Sequence, residues 1–226
     1  MTTDTRSDTR STAPPETGLR ARKKQQTREA ISDAATRLFL EHGFDKVTIA
    51  EVARAAEVAK MTVTNYFPRK EDLALDLHEE YTAGPARTVA ERKPGESALA
   101  ALRRAHLAAV RRRDPMIGFA PLPFAQMVAS SPVLTARNRE LHELQERQLA
   151  ETLRSETGSA PEDITPHAVA TQLCGALRLL FQETLRRVLD GQDADTVATA
   201  AGRDTRKAFG LLEPALGGYA VRAGGG

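Results

Sequence analysis

The sequence predicts an all-α protein of about nine helices, in which an N-terminal tri-helical helix-turn-helix unit precedes a larger helical body. Three observations predict this class. Apolar residues make up 41% of the 226 residues, aromatic ones only 4%, and the dominant Ala, Leu and Arg favour helices. The apolar residues recur at helical rather than alternating spacing almost throughout. Polar caps followed by proline, at Asp114-Pro115, Ser131-Pro132 and Thr165-Pro166, mark helix starts.

Taken in order, residues 1–18 are polar, contain Pro14 and Pro15, and read as a disordered leader. Ile31, Ala34, Ala35, Leu38 and Phe39 mark one face of a first helix. Gly43 suits the left-handed position after it, with Phe44 as hydrophobic companion. Thr48-Ile49-Ala50-Glu51 matches a capping box and opens a short second helix with Ile49, Val52 and Ala53 inward. A third helix, from about Ala59 to Phe67, buries Val63 and Phe67 and stops at Pro68. A fourth begins near Lys70 and carries Leu73, Leu77 and Tyr81. The three proline starts, Pro94-Gly95 before Ala98, and the Gly191–Asp193 break divide the rest into five further helices. The domains predicted are a leader over 1–18, a helix-turn-helix domain over 19–72, a C-terminal helical domain over 73–214 and a flexible tail over 215–226.

A net charge of +2 is too small to argue for nucleic acid. Its distribution says more: Arg20, Arg22, Lys23, Lys24 and Arg28 occur with no acid among them before Glu29. Such a block is either a solvated surface or a nucleic-acid contact. The single cysteine, Cys174, rules out an intramolecular disulfide and points to a reducing compartment. The N-terminus lacks the apolar core of a signal peptide, and no apolar run approaches the ~20 residues of a membrane span. A cytoplasmic protein with no membrane partner is expected. Residues 75–212 contain no phosphate loop, zinc spacing or nucleophile elbow. His78-Glu79 and His142-Glu143 have no second histidine at metal-motif spacing, and Cys174 reads as a small buried apolar residue. No catalytic residue, metal or cofactor is expected.

The words Gly43-Phe44, Thr48-Ile49-Ala50-Glu51-Val52-Ala53 and Val63-Thr64-Asn65-Tyr66-Phe67-Pro68-Arg69-Lys70-Glu71-Asp72-Leu73 closely resemble the DNA-binding region of TetR-family regulators. The match covers roughly residues 20–75; the remainder is similar in helix count and length. The resemblance implies a transcriptional regulator, a homodimer on a double-stranded DNA operator, with a small-molecule effector that releases a repressor. A regulator without a small-molecule inducer, and a helical enzyme with an incidental tri-helical head, are the alternatives. It further implies that Thr48, Tyr66 and Lys70 meet phosphates, while Lys60, Met61, Thr62, Thr64 and Asn65 lie on the recognition helix. Asn can pair adenine bidentately, Lys can donate to guanine and Thr64 could touch a thymine methyl. The basic arm with Arg22, Lys23 and Lys24 would add phosphate or minor-groove contacts. Two positions depart from the family pattern. Glu57 stands where glycine is usual, so a non-glycine residue is expected in a left-handed turn, and Ala59 stands where serine often caps the recognition helix.

Further on, Leu173, Leu177, Leu179, Leu180, Phe181, Leu185, Val188 and Leu189 surround one helix on more than one face, as in a helix buried on both sides. That fits a central core helix or, as the resemblance suggests, half of a four-helix dimer interface with the last helix. Leu180, Val188, Phe209 and Leu212 are the interface candidates. The apolar, Pro- and Gly-rich segment Met116–Phe124 suits a pocket wall or a packing loop. Leu107, Phe119, Phe124, Met127, Leu144 and Phe181 are the candidate lining, with Arg103 and Arg178 able to pair an anionic ligand.

Overall fold

Local capping chemistry sets the starts of four helices. The computed structural model describes residues 16–223, and among these it contains ten α-helices, two short 3-10 turns and no strand. Helix α1 spans Glu16–His42 and is followed by a 3-10 turn at Phe44–Lys46. Helix α2, Ile49–Ala55, starts at the capping box: Thr48 Oγ1 accepts the Glu51 amide at 3.2 Å while the Glu51 carboxylate accepts the Thr48 amide at 2.7 Å. Those bonds, the one to the backbone amide foremost, also hold the Glu51 carboxyl below its usual range. Helix α3, Lys60–Tyr66, starts at Ala59 with no side-chain cap. Between them Glu57 has φ of 55°, the left-handed conformation that costs an L-residue about 1 kcal/mol or more. Glu57→Gly is therefore expected to stabilise the protein by about 1 kcal/mol. A thermal melt reads this directly, and an unchanged or lower Tm would contradict it.

The predicted fourth helix is two helices. Helix α4 covers Lys70–Ala74 and α5 covers His78–Ala90, with a break at Leu75–Leu77. Nothing local forces the break; α1 holds it. Arg28 donates to the Asp76 carbonyl at 2.8 Å, the Ser32 hydroxyl donates to the Asp76 carboxylate, and His78 Nδ1 lies 3.0 Å from the Leu75 carbonyl. Backbone groups freed by the interruption thus find partners. Within α5, Pro85 cannot donate to the Tyr81 carbonyl, and Gln145 Nε2 fills that role at 2.8 Å.

Helix α6, Ala98–Arg112, is capped by Ser97. The Asp114-Pro115 signal opens only a 3-10 turn, Pro115–Ile117. Gly118 then adopts φ of 103° and seats directly on the later helix over Phe181–Leu185: an added Cβ would lie 2.8 Å from the Phe181 carbonyl oxygen. Helix α7 begins at Leu122 and ends at Ser130, and α8 follows over Pro132–Thr157 with Ser131 as its cap. Helix α9 spans Thr165–Leu189, and Asp163 accepts the Thr165 amide, so the cap lies before the Thr-Pro pair. Helix α10, Ala194–Leu216, is capped by Asp193, which accepts the amides of Asp195 and Thr196.

Two apolar clusters form the interior. The first joins Ile31, Ala35, Phe39, Val52, Val63, Phe67 and Leu73 of α1–α4 with Val128 of α7 and Leu134 of α8. The head is therefore not closed at residue 72. Buried Asp72 pairs with Arg137 at 2.8 Å and Arg69 reaches Glu140 at 2.7 Å, which also tie α4 and its approach to α8. The second cluster gathers Leu99, Leu102, Leu149, Leu153, Leu173, Leu180 and Phe209 from α6 and α8–α10.

Both predicted ends need correction. Residues 16–18, assigned to the leader, are the first turn of α1, which continues beneath the basic block; the rest of the leader lies outside the described residues. Of the segment assigned to a flexible tail, the described part, residues 215–223, is docked, and residues 224–226 lie outside the described residues. Tyr219 and Ala220 pack on the second cluster, and Arg222 exchanges backbone bonds with Gly95 and Glu96. Its guanidinium donates to the Ala90 and Arg92 carbonyls at 2.9 and 2.8 Å, capping the end of α5. Among the described residues no helix is long and apolar enough to cross a membrane, and no cluster of side chains could hold a metal ion.

Candidate nucleic-acid interface and ligand cavity

One surface of the head collects the polar residues of α3. With Val63 and Phe67 fully buried, helical geometry turns Lys60, Met61 and Asn65 outward. Met61 is 69% exposed. Thr62 and Thr64 are half-buried, and the Thr64 hydroxyl donates to the Met61 carbonyl at 3.0 Å. Arg22, Lys23 and Lys24 are exposed on a helical extension of α1 rather than on a loose arm. Thr48 is exposed, but its hydroxyl donates to Glu51 at 2.8 Å, so the groups left outward at this helix start are the Ile49 and Ala50 amides.

Two cations near this surface point inward. Lys70 Nζ donates to the Phe44 carbonyl at 2.6 Å and sits 4.3 Å above the Phe44 ring, so it holds the α1–α2 connection. Arg28, grouped with the basic block in the sequence, stacks 4.4 Å above Phe67 and donates to the Tyr66 carbonyl at 3.3 Å as well as to Asp76. It joins α1, the end of α3 and the α4–α5 break through one guanidinium. Its spacing from Ser32, one turn on, is the only local trace of this role.

The α4–α5 break also lines a cavity of about 390 Å³. Its walls include Leu75–His78, Tyr81, Met116, Ala120, Phe124, Leu141 and Phe181, and they are overwhelmingly apolar. A second cavity, of about 550 Å³, lies between α5, α6 and α9 and shares Leu77, Tyr81, Met116 and Phe181 with the first. Where they meet, Tyr81 Oη lies 2.7 Å from His142 Nδ1, and Phe181 packs edge-on against both rings. Burial, with help from the Arg178 charge, pushes His142 down to about 4, so its ring is neutral at physiological pH. Burial also raises the Tyr81 hydroxyl well above its usual range.

Of the eight residues the sequence offered for a pocket, the structure brings Phe124 and Phe181 together in the first cavity. Met127 faces a separate cleft with Phe39, Leu40 and Phe44. Leu107, Phe119 and Leu144 are half-buried away from both cavities: helix phase turns Leu107 and Leu144 elsewhere, and Phe119 lies in the link between the 3-10 turn and α7. Arg103 pairs with Glu213 at 2.6 Å on the α6–α10 surface, and Arg178 is exposed, so neither guanidinium faces a cavity. The sequence missed His106 and the Tyr81–His142 pair. A lone histidine in register with Leu99, Leu102 and Ala109 on the buried face of α6 was the available signal.

The interface candidates separate in the same way. Leu180 and Phe209 are 3% and 0% exposed within one chain, enclosed by its own second cluster, and cannot face a partner. Val188 is half-buried, and Leu212 packs on the cluster. The outward leucines of α9 and α10 are Leu179, 54% exposed, and Leu211, 75% exposed. Cys174 is buried and its thiol is pushed up to about 12, leaving almost no reactive thiolate.

Comparison with known proteins matches the segment that carries the α3 surface. A family model described as bacterial regulatory proteins, tetR family, matches residues 31–77. The HTH-type transcriptional regulator TcmR of Streptomyces glaucescens is 29% identical over 209 residues, covering 90% of this chain and 92% of TcmR. Among solved structures, Salmonella enterica GusR aligns with a TM-score of 0.50 at 17% identity, over 85% of this chain and 96% of its own. Native NalD, the secondary repressor of the MexAB-OprM multidrug efflux pump in Pseudomonas aeruginosa, aligns with a TM-score of 0.50 at 21% identity, over 81% and 97%. These two structural likenesses are likenesses of fold.

Proposed function

We propose that this chain, which belongs to the TetR family of bacterial regulatory proteins and is a DNA-binding transcriptional regulator, is a repressor released from its operator when an apolar effector fills the cavity beside the α4–α5 break. Two protomers present α3 to successive major grooves about one helical turn, ~34 Å, apart. Asn65, Lys60 and Thr64 read base edges, Met61 and Thr62 cover the groove floor, and Tyr66 and the α2 start meet phosphates, whereas Lys70 is engaged by the Phe44 carbonyl. The basic turn of α1, with Arg22, Lys23 and Lys24, adds salt-dependent affinity. Dimerisation uses the outer faces of α9 and α10, where Leu179 and Leu211 lie bare in the single chain.

The observation that carries this reading is that one short stretch serves two masters. Leu75–His78 forms a cavity wall, and the same stretch is fastened to the DNA-facing head by Arg28 and Ser32. A ligand that prefers a different shape of this break shifts the head with it, by differential affinity alone. A substitution that occupies the cavity should mimic the effector. Ala120→Phe, from the wall before α7, is expected to lower operator affinity tenfold or more, ~1.4 kcal/mol, while non-specific DNA binding stays near the wild-type value. Operator affinity unchanged by a filled cavity, with the fold intact by circular dichroism, would count against ligand-relieved repression.

A further inference from the structure

The second cavity contains an atom that the fold leaves without a partner. Three buried side-chain polar atoms have none among the described residues: His106 Nε2, Arg154 Nε and Tyr219 Oη. Of these, His106 lines the cavity between α5, α6 and α9. Its residue is 5% exposed, and burial alone pushes its imidazole down to about 4, so the ring enters the cavity uncharged. Buried polar groups are ordinarily paired, and an exception calls for an explanation such as a missing ligand.

Of the other polar groups of this chamber, Gln145 and Tyr81 are each engaged with the other's helix, and the half-buried Thr88 adds only a neutral hydroxyl. Gln145 donates to the Tyr81 carbonyl, and Tyr81 Oη is with His142. At the rim Arg112 pairs with Asp114 at 3.2 Å, while exposed Glu80 and Arg87 offset one another in charge. The rest of the wall is apolar and includes Leu102, Ala109, Ile117, Leu177 and Phe181. Nothing inside compensates an ionic ligand, and a buried charge without a counter-charge is strongly disfavoured.

We infer that the two adjoining chambers take one uncharged, mainly apolar molecule, and that a hydroxyl group at its end bonds to His106 Nε2. A hydroxyl suits either tautomer of a neutral ring, because it both donates and accepts. The aromatic junction of Tyr81, His142 and Phe181 lies between the two chambers and would contact the body of the molecule. This assignment rests on the reading of the cavity as an effector site and adds the ligand's chemistry and its anchoring residue.

The test uses the full-length protein and a matched pair of probes, 1-naphthol and naphthalene, titrated by calorimetry. The wild type is expected to bind 1-naphthol about tenfold more tightly, the worth of one well-formed hydrogen bond. In His106→Phe the two probes should bind equally, with naphthalene affinity kept and Tm no lower, since an unpaired polar atom has been removed. Equal affinities in the wild type, or a hydroxyl preference that survives in His106→Phe, would overturn the anchor while leaving the cavity reading in place. Binding of neither probe would sink the cavity reading and the anchor together. The wild-type comparison stands by itself should the variant fail to fold.

Discussion

Glu156→Leu is expected to cost the protein about 3 kcal/mol, the lower end of what breaking a buried ion pair costs. Arg92 is 2% exposed, and its guanidinium donates to the Val89 carbonyl at 2.6 Å, to the Ala220 carbonyl at 2.9 Å and to Glu156 at 2.6 Å. One side chain therefore joins the end of α5, the end of α8 and the docked C-terminal segment. Removing Glu156 leaves a cation in the interior with backbone dipoles but no counter-charge. The figure is set low because the Glu156 side chain is 31% exposed and water can relieve part of the loss. Arg92→Met removes the charge but takes the guanidinium donor from the Ala220 carbonyl, so it too destabilises. The double variant should be less damaged than the sum of the singles by ~1–3 kcal/mol. Denaturant unfolding of the three variants measures this, and strictly additive losses would show that the pair contributes nothing.

Acid should unfold this protein earlier than carboxylate protonation alone requires. His106 and His142 are both buried and both pushed down to about 4, chiefly by loss of solvation of the charged ring. In the unfolded chain each returns to about 6.5. Between pH 6.5 and 4 the unfolded state thus binds more protons than the native state. The stability these groups provide is full above the unfolded pKa and is lost as pH falls through that window. The loss approaches about 3 kcal/mol for each histidine, comparable to a large share of the 5–15 kcal/mol that holds a typical domain. His106→Phe should remove roughly half of the pH dependence in this range. Chemical denaturation at a series of pH values reports it; a variant with the wild-type slope would mean His106 is already solvated or paired in the native state.

Features set by neighbouring residues were legible from the sequence, and those set by distant partners were not. The Thr48–Glu51 capping box and the left-handed Glu57 turn are each decided within a few residues. The α4–α5 break depends on Arg28 and Ser32, more than forty residues upstream, and the local pattern Leu73, Leu77, Tyr81 reads as one continuous helix. Helix α9 presents the opposite difficulty. It is apolar on several faces, so the pattern lacks a phase, and a shift of one residue exchanges buried Leu180 for exposed Leu179. The tail composition suggested looseness, yet Arg222 finds the free carbonyls at the end of α5. On α3, the sequence placed Lys60, Met61, Thr62, Thr64 and Asn65 away from inward Val63 and Phe67. Of these, the structure exposes Lys60, Met61 and Asn65 while leaving Thr62 and Thr64 half-buried. The sequence grouped Arg28 with the solvated cations, since charge alone does not show that a guanidinium stacks on a core phenylalanine.

The reading of bases by α3 is tested most directly by measuring, at one salt concentration, the affinities of wild type and Asn65→Ala for an operator and for random duplex. The operator is first selected from a random DNA pool with the wild-type protein. Asn65 is exposed and its face of α3 is bare, so its truncation should leave the fold and the phosphate contacts untouched. A bidentate base contact is worth ~1–3 kcal/mol of discrimination, so operator affinity should fall by roughly tenfold to a hundredfold while random-sequence affinity holds. Tyr66→Phe should lower both affinities by a similar factor, because phosphates carry no direct sequence information. If Asn65→Ala keeps the wild-type ratio of operator to random binding, α3 does not read DNA through this residue, and the assigned recognition face is contradicted.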